Sequence, residues 1–213
     1  MSLTLHVGNK RYSSWSLRGY LIVARSGATF DTQVILLDVD DTAGSIAKVS
    51  PAGRVPVLVD GDLAIWDTLA IGEYMNELRP EAQLWPADRG RRARARSISA
   101  EMHSGFVELR TYLPMDLCAN NPGQGHTPEA LADARRVQSI WRDALAVSGG
   151  PFLFGHFTIA DAMFAPVVTR FASYGVEVDA TCRAYMAAIE ALPELVSWRA
   201  DAAREQAKVK IKL

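Results

Sequence analysis

Residues 55–68 read Val55-Pro56-Val57-Leu58-Val59-Asp60-Gly61-Asp62-Leu63-Ala64-Ile65-Trp66-Asp67-Thr68. The run 55–59, the turn residues Asp60-Gly61-Asp62 and the apolar run 63–66 predict a β-hairpin. From Thr68 the period changes. Leu69, Ile71, Gly72, Met75 and Leu78 recur at helical spacing, so a helix over 68–78 follows the hairpin. A proline that opens a strand is compatible with its missing N–H. Either isomer of the Val55–Pro56 bond suits that place, and a cis bond would turn the Val55 backbone outward, toward a peptide ligand.

Working back from the hairpin, residues 30–37 contain a β-type run at 34–37, and residues 3–7 form a short apolar strand. Between them Trp15, Leu17, Leu21, Ile22 and Ala24 recur at helical intervals after Ser13 and Ser14, a serine N-cap signal, and Gly27 marks the stop. A weaker helical segment lies at 41–48. The order β-α-β-α-β-β-α predicts an α/β domain over residues 1–80, joined by a linker over 81–88. Beyond it no strand is evident. Helices are expected over 90–117, 128–146, 159–174, 182–191 and 194–207, giving an all-α domain over 89–213. Trp141, Trp198 and Phe152-Leu153-Phe154 read as core anchors. The tail Lys208–Leu213 alternates charged and apolar residues and is read as a surface tail without a role.

With 213 residues the chain is long enough for two domains, its 49% apolar content suits a real core, and a net charge of −1 gives no global reason to bind nucleic acid or an anionic membrane. The basic run Arg89-Gly90-Arg91-Arg92-Ala93-Arg94-Ala95-Arg96 opens a helix with no interleaved aromatics, so it reads as a solvated face or a dimer-interface charge set. Cys118 and Cys182 lie in no metal-ligand or CxxC spacing and are expected to be ordinary core thiols in a reducing cytoplasm. No secretory signal, membrane span or metal site is read from the sequence.

Chemistry concentrates at helix starts. Ser13-Ser14-Trp15-Ser16 sits where the first helix offers unpaired N–H groups and about half a positive charge, a setting that favours a thiolate; plain capping would use the same hydroxyls. Asp67-Thr68 opens the third helix, where Thr68 is expected as the N-cap holding a carboxylate and Asp67 could pair with an amino group. Thr158-Ile159-Ala160-Asp161 resembles a capping box and is read as structural. On the expected helix 90–117, His103, Phe106 and Arg110 fall at i, i+3 and i+7 on one face; Arg110 could meet an acidic substrate and His103 could move a proton, or both could be ordinary surface and packing residues.

In this order and spacing, these features resemble the cytosolic glutathione transferase family over almost the whole chain, and Ser13-Ser14-Trp15-Ser16 is similar to the SSCS motif of the zeta class, which includes maleylacetoacetate isomerases. The resemblance implies a thioredoxin-like N-terminal domain and an all-helical C-terminal substrate domain. It makes Ser13 the thiol-activating residue, with Ser14 and Ser16 as alternative donors, and places Trp15 where the motif has cysteine. Glutathione would be the co-substrate, held by Ser13, Ser14, Trp15, Arg54, Val55, Pro56, Asp67 and Thr68, while His103, Phe106 and Arg110 would line the pocket for a small electrophile. A homodimer is also implied, with sites near the subunit interface. The expected function is a glutathione S-transferase; the alternatives are a glutathione-dependent cis-trans isomerase and a non-catalytic glutathione-binding protein.

Overall fold

The structure is a computed structural model that describes residues 3–37 and 39–205. Four strands form one mixed sheet: β1 (Leu3–Val7), β2 (Phe30–Val34), β3 (Val57–Asp60) and β4 (Leu63–Ile65), in the order β2-β1-β3-β4. β1 runs parallel to β2 with Leu5 opposite Thr32, and antiparallel to β3 with Leu5 opposite Leu58. As an inner strand, β1 buries Leu3, Leu5 and Val7. Helices α1 (Ser14–Arg25) and α2 (Thr42–Ala47) fill the connections, and α3 (Thr68–Leu78) follows the β3–β4 hairpin. Among the described residues six α-helices follow: α4 (Arg89–Ser104), α5 (Val107–Tyr112), α6 (Pro128–Ser148), α7 (Ile159–Tyr174), α8 (Ala180–Glu190) and α9 (Pro193–Arg204).

The two halves share one core. α1 buries Leu17, Leu21 and Ile22 and packs against both α3 and α7. The α3–α7 approach is close because Gly72 has no side chain: a Cβ there would stand 3.1 Å from Ile159 Cδ1. The start of α7 is anchored by the capping box, in which Asp161 accepts from Thr158 N at 2.8 Å and from Leu153 N at 3.0 Å. Trp141 and Trp198 are fully buried, and Leu153 and Phe154 belong to the core with Phe152 packed against it.

Several expectations are corrected. The single helix expected over 90–117 is two, because the chain breaks at Gly105-Phe106. Phe106 takes a left-handed conformation (φ 61°) with its side chain buried, and a Cβ on Gly105 would meet Glu101 O at 2.9 Å. The second strand ends at Val34, the first residue of the β-type run. Its partner β1 is exhausted at Val7, and Leu37 N turns instead to Asn9 Oδ1 at 2.7 Å. β3 begins at Val57, opposite His6 of β1, since Pro56 has no N–H to offer, and pairing within the hairpin begins at Leu58 opposite Ile65. Cys182 is buried as expected, but Cys118 is exposed, on the segment after α5. The tail 208–213 lies outside the described residues.

Candidate functional site

A cleft of about 530 Å³ opens where the starts of α1 and α3 face α4 and the loop before β3. Its walls gather residues far apart in sequence: Ser13 and Trp15, Arg54, Val55 and Pro56, Asp67 and Thr68, and His103. Leu37, Ile46, Ala52, Gly53 and Trp66 complete the lining. This volume suits a small molecule or tripeptide.

Ser13 is the N-cap of α1. Its Oγ accepts from Ser16 N at 3.3 Å and lies 2.8 Å from Ser16 Oγ, which in turn accepts from Gly8 N at 2.8 Å. Of the three hydroxyls in the motif, Ser13 alone lines the cleft; Ser14 and Ser16 are buried behind it. The loop carrying Ser13 is braced from behind by α9 and the residue after it. Glu205 accepts from Lys10 N at 2.6 Å and Arg11 N at 3.1 Å, and Trp198 Nε1 donates to Lys10 O at 2.8 Å.

On the opposite wall the N-cap of α3 is Asp67, a correction to the expected Thr68. Asp67 keeps an extended backbone (ψ −163°) and its Oδ1 accepts from Leu69 N at 2.8 Å, leaving Thr68 as the first helical residue. The Thr68 hydroxyl is buried and has no hydrogen-bond partner among the described residues. An orphan hydroxyl beside a helix N-terminus fits a ligand carboxylate. The second Asp67 oxygen pairs with His103 Nε2 of α4, so the helical half closes the cleft at this end. The Val55–Pro56 bond is cis and borders the cleft, and Ser50 Oγ pins the adjoining loop by accepting from Arg54 N at 3.1 Å and donating to Arg54 O at 2.7 Å.

Phe106 and Arg110 are not brought to this cleft. The break at Gly105 buries Phe106 and turns Arg110 back on α4, where its guanidinium donates to the carbonyls of Gly105, Met102 and His103. Cations at a helix C-terminus meet its negative end, which offsets the burial of this guanidinium. Trp15 lies between Arg110 at 4.9 Å and the buried Arg18 at 4.7 Å, with the His103 ring edge-on at 5.0 Å. Burial lowers the pKa of both Arg18 and Arg110.

The cleft contains features that no motif marked. Gly19, in the middle of α1, lets Pro56 approach, because a Cβ there would lie 2.9 Å from Pro56 Cγ. A glycine inside an apolar helix was the available signal. Ser16, expected from the motif as an alternative donor, is instead a buried hydroxyl behind Ser13. The arginine run of α4 is engaged locally: Arg96 with Glu73, Arg91 with Phe154 O and Arg92 with the carbonyls of Pro86 and Ala87. Among the described residues, no His, Cys, Asp or Glu group is arranged to hold a metal ion, and no helix is long and apolar enough to cross a membrane.

Comparison with known proteins agrees with this architecture. Residues 12–78 match the family model of the glutathione S-transferase N-terminal domain and residues 101–201 that of the C-terminal domain. A probable maleylacetoacetate isomerase of Caenorhabditis elegans is 30% identical over 105 residues, about half the length of either chain (49% of each). A stringent starvation protein A homolog of Coxiella burnetii is 24% identical over 176 residues, 83% of this chain and 79% of that one. In three dimensions a Burkholderia glutathione transferase homolog, solved with bound glutathione, superposes with a TM-score of 0.74 at 22% identity, covering 97% of this chain and 100% of the other. With both family models matched in order across most of its length, and with a four-stranded thioredoxin-like sheet followed by helices, this chain belongs to the glutathione S-transferase family.

Proposed function

We propose that the chain is a glutathione S-transferase that binds glutathione along the cleft and directs its sulfur to Ser13. The observation that carries this reading is the convergence of two helix N-termini on one cleft, α1 at Ser13 and α3 at Thr68. The γ-glutamyl carboxylate would take the α3 terminus and the orphan Thr68 hydroxyl, with its ammonium on Asp67. The cysteinyl backbone would lie along Val55, and the glycyl end would reach Arg54. The sulfur then falls to Ser13, where the thiol releases its proton to solvent and the resulting thiolate accepts from the Ser13 hydroxyl and attacks an electrophilic carbon, forming the C–S bond as the bond to the leaving group breaks and that group (halide, for an aryl halide) departs to solvent with the bonding pair. Holding both reactants and stabilising the anion would supply most of the rate enhancement. In this reading residues 1–80 and 89–213 act as glutathione and substrate domains, and the protein works in the cytoplasm as a homodimer.

The test is an ultraviolet titration of enzyme-bound glutathione, paired with turnover of an aryl halide and of a maleylacetoacetate-like acid. A bound thiol ionising well below its free value near 8.5, with turnover of the halide, supports the transferase. Turnover of the acid alone would favour the isomerase suggested by the Caenorhabditis relative. Binding with an unshifted thiol would leave a non-catalytic glutathione-binding protein.

A further inference from the structure

The Ser16 hydroxyl has no task in α1 as a helix. The N-cap bond needs only its backbone N–H, and alanine would be the better helix former. It is nevertheless fully buried, and burying a hydroxyl is unfavourable unless it is bonded. Its partners are specific: Gly8 N donates to it at 2.8 Å, and the Ser13 hydroxyl lies 2.8 Å away.

A serine hydroxyl has one proton and two lone pairs. In the structure Ser13 donates to Ser16. When an anion lies in the cleft, the pair can reverse without moving a heavy atom: Ser16, still accepting from Gly8, donates to Ser13. Both lone pairs of Ser13 are then filled, one by Ser16 N–H and one by Ser16 Oγ–H. Its only free valence is its proton, which faces the cleft. A hydroxyl in that state can donate but cannot accept, so it favours a thiolate over a thiol, which would need an acceptor.

We propose that Ser16 is a positioning residue that commits the Ser13 hydroxyl to donating toward the bound sulfur, through the chain Gly8 N–H, Ser16 Oγ, Ser13 Oγ. The proposal rests on the reading that Ser13 meets the sulfur. It makes the motif a linked pair, Ser13 at the ligand and Ser16 behind it, with Ser14 outside the chain.

The experiment is a double-mutant cycle on the ionisation of bound glutathione, read by thiolate absorbance against pH in the full chain with Ser13→Ala, Ser16→Ala and both together. Ser13→Ala is expected to raise the bound thiol's pKa by about one unit, and Ser16→Ala by at least about half a unit. In the Ser13→Ala background Ser16→Ala adds nothing. An equal shift from Ser16→Ala with and without Ser13 would overturn the proposal, since Ser16 would then act on the fold. A shift from Ser13→Ala but none from Ser16→Ala overturns it while leaving the Ser13 reading intact, and no shift from Ser13→Ala removes both. If Ser16→Ala fails to fold, Ser16→Cys keeps a weak acceptor for Gly8 N–H and takes its place in the cycle, with a smaller shift that also vanishes without Ser13.

Discussion

Asp67 divides two jobs between its oxygens, and that division can be measured. One oxygen caps α3 through Leu69 N at 2.8 Å; the other pairs with His103. In the proposed complex the second oxygen also meets the ligand ammonium. Asp67→Asn keeps a capping oxygen and removes the charge. Because the Asp67 side chain is 46% exposed, the lower end of the range for a charged hydrogen bond applies, about 1.5 kcal/mol, or roughly tenfold in Kd. Asparagine caps as well as aspartate, so the melting temperature should hold. Asp67→Ala should show the same loss of affinity and also lose the cap, about 1 kcal/mol, which lowers Tm by roughly 2–4 °C in a chain of this size. His103→Ala removes a half-exposed pair that contributes about 0–1 kcal/mol and frees the oxygen for the ligand, so glutathione affinity should not fall. Calorimetric titration with glutathione and with an analogue lacking the α-amino group separates these effects. Asp67→Asn should weaken glutathione alone. Equal weakening of the analogue, or a loss of affinity in His103→Ala, would refute the reasoning.

Other outcomes follow from the same geometry. Gly19→Ala should raise the Kd for glutathione severalfold in the same titration. The new Cβ meets Pro56, an overpacking of about 1–3 kcal/mol, while stability recovers about 1 kcal/mol from helix propensity. Asp161→Ala should lower unfolding stability by about 2–4 kcal/mol in denaturant melts, because two buried backbone donors lose their acceptor, yet leave the Kd of the folded protein for glutathione unchanged. Burial pushes the Asp161 carboxyl up to about 6. Since this lies above the unfolded value of about 3.9, the folded state holds the proton more tightly, and that stabilisation is full below about pH 4 and lost as pH rises through 6. The penalty of Asp161→Ala should therefore be larger at pH 5 than at pH 7. A maleimide should label one thiol per native chain, the exposed Cys118, while Cys182, buried and pushed up to about 12, stays unmodified until the protein unfolds.

Local signals carried much of the architecture. α7 begins where Thr158-x-x-Asp161 places it and ends at Tyr174 as expected, and α3 follows its apolar period from Thr68 to Leu78. Errors arose where a distant partner decides the outcome. The apolar run at 34–37 looked like strand, but β1 ends opposite Val34 and, past the bond from Ile35 N to Val7 O, offers no further pairing. The period through 90–117 looked unbroken, but the buried Phe106 ring and the carbonyls that Arg110 collects are properties of the assembled helices. The candidate site divides the same way. Helix starts announce Ser13, Asp67 and Thr68, whereas the Ser16–Gly8 bond, the His103–Asp67 pair and the Gly19–Pro56 contact each need the fold to bring two segments together.

The bracing of the Ser13 loop has a kinetic meaning. Lys10 and Arg11 satisfy their backbone groups on Trp198 and Glu205, partners 188 to 195 positions away in the chain. Contacts of such long span form late, because closing a large loop must precede the gain it brings. The sheet can pair first, since its strands are near neighbours in sequence. The Ser13 hydroxyl, proposed to meet the sulfur, then settles only when α9 docks, so competence for thiol ionisation should be the last property to appear during refolding, after secondary structure has already returned.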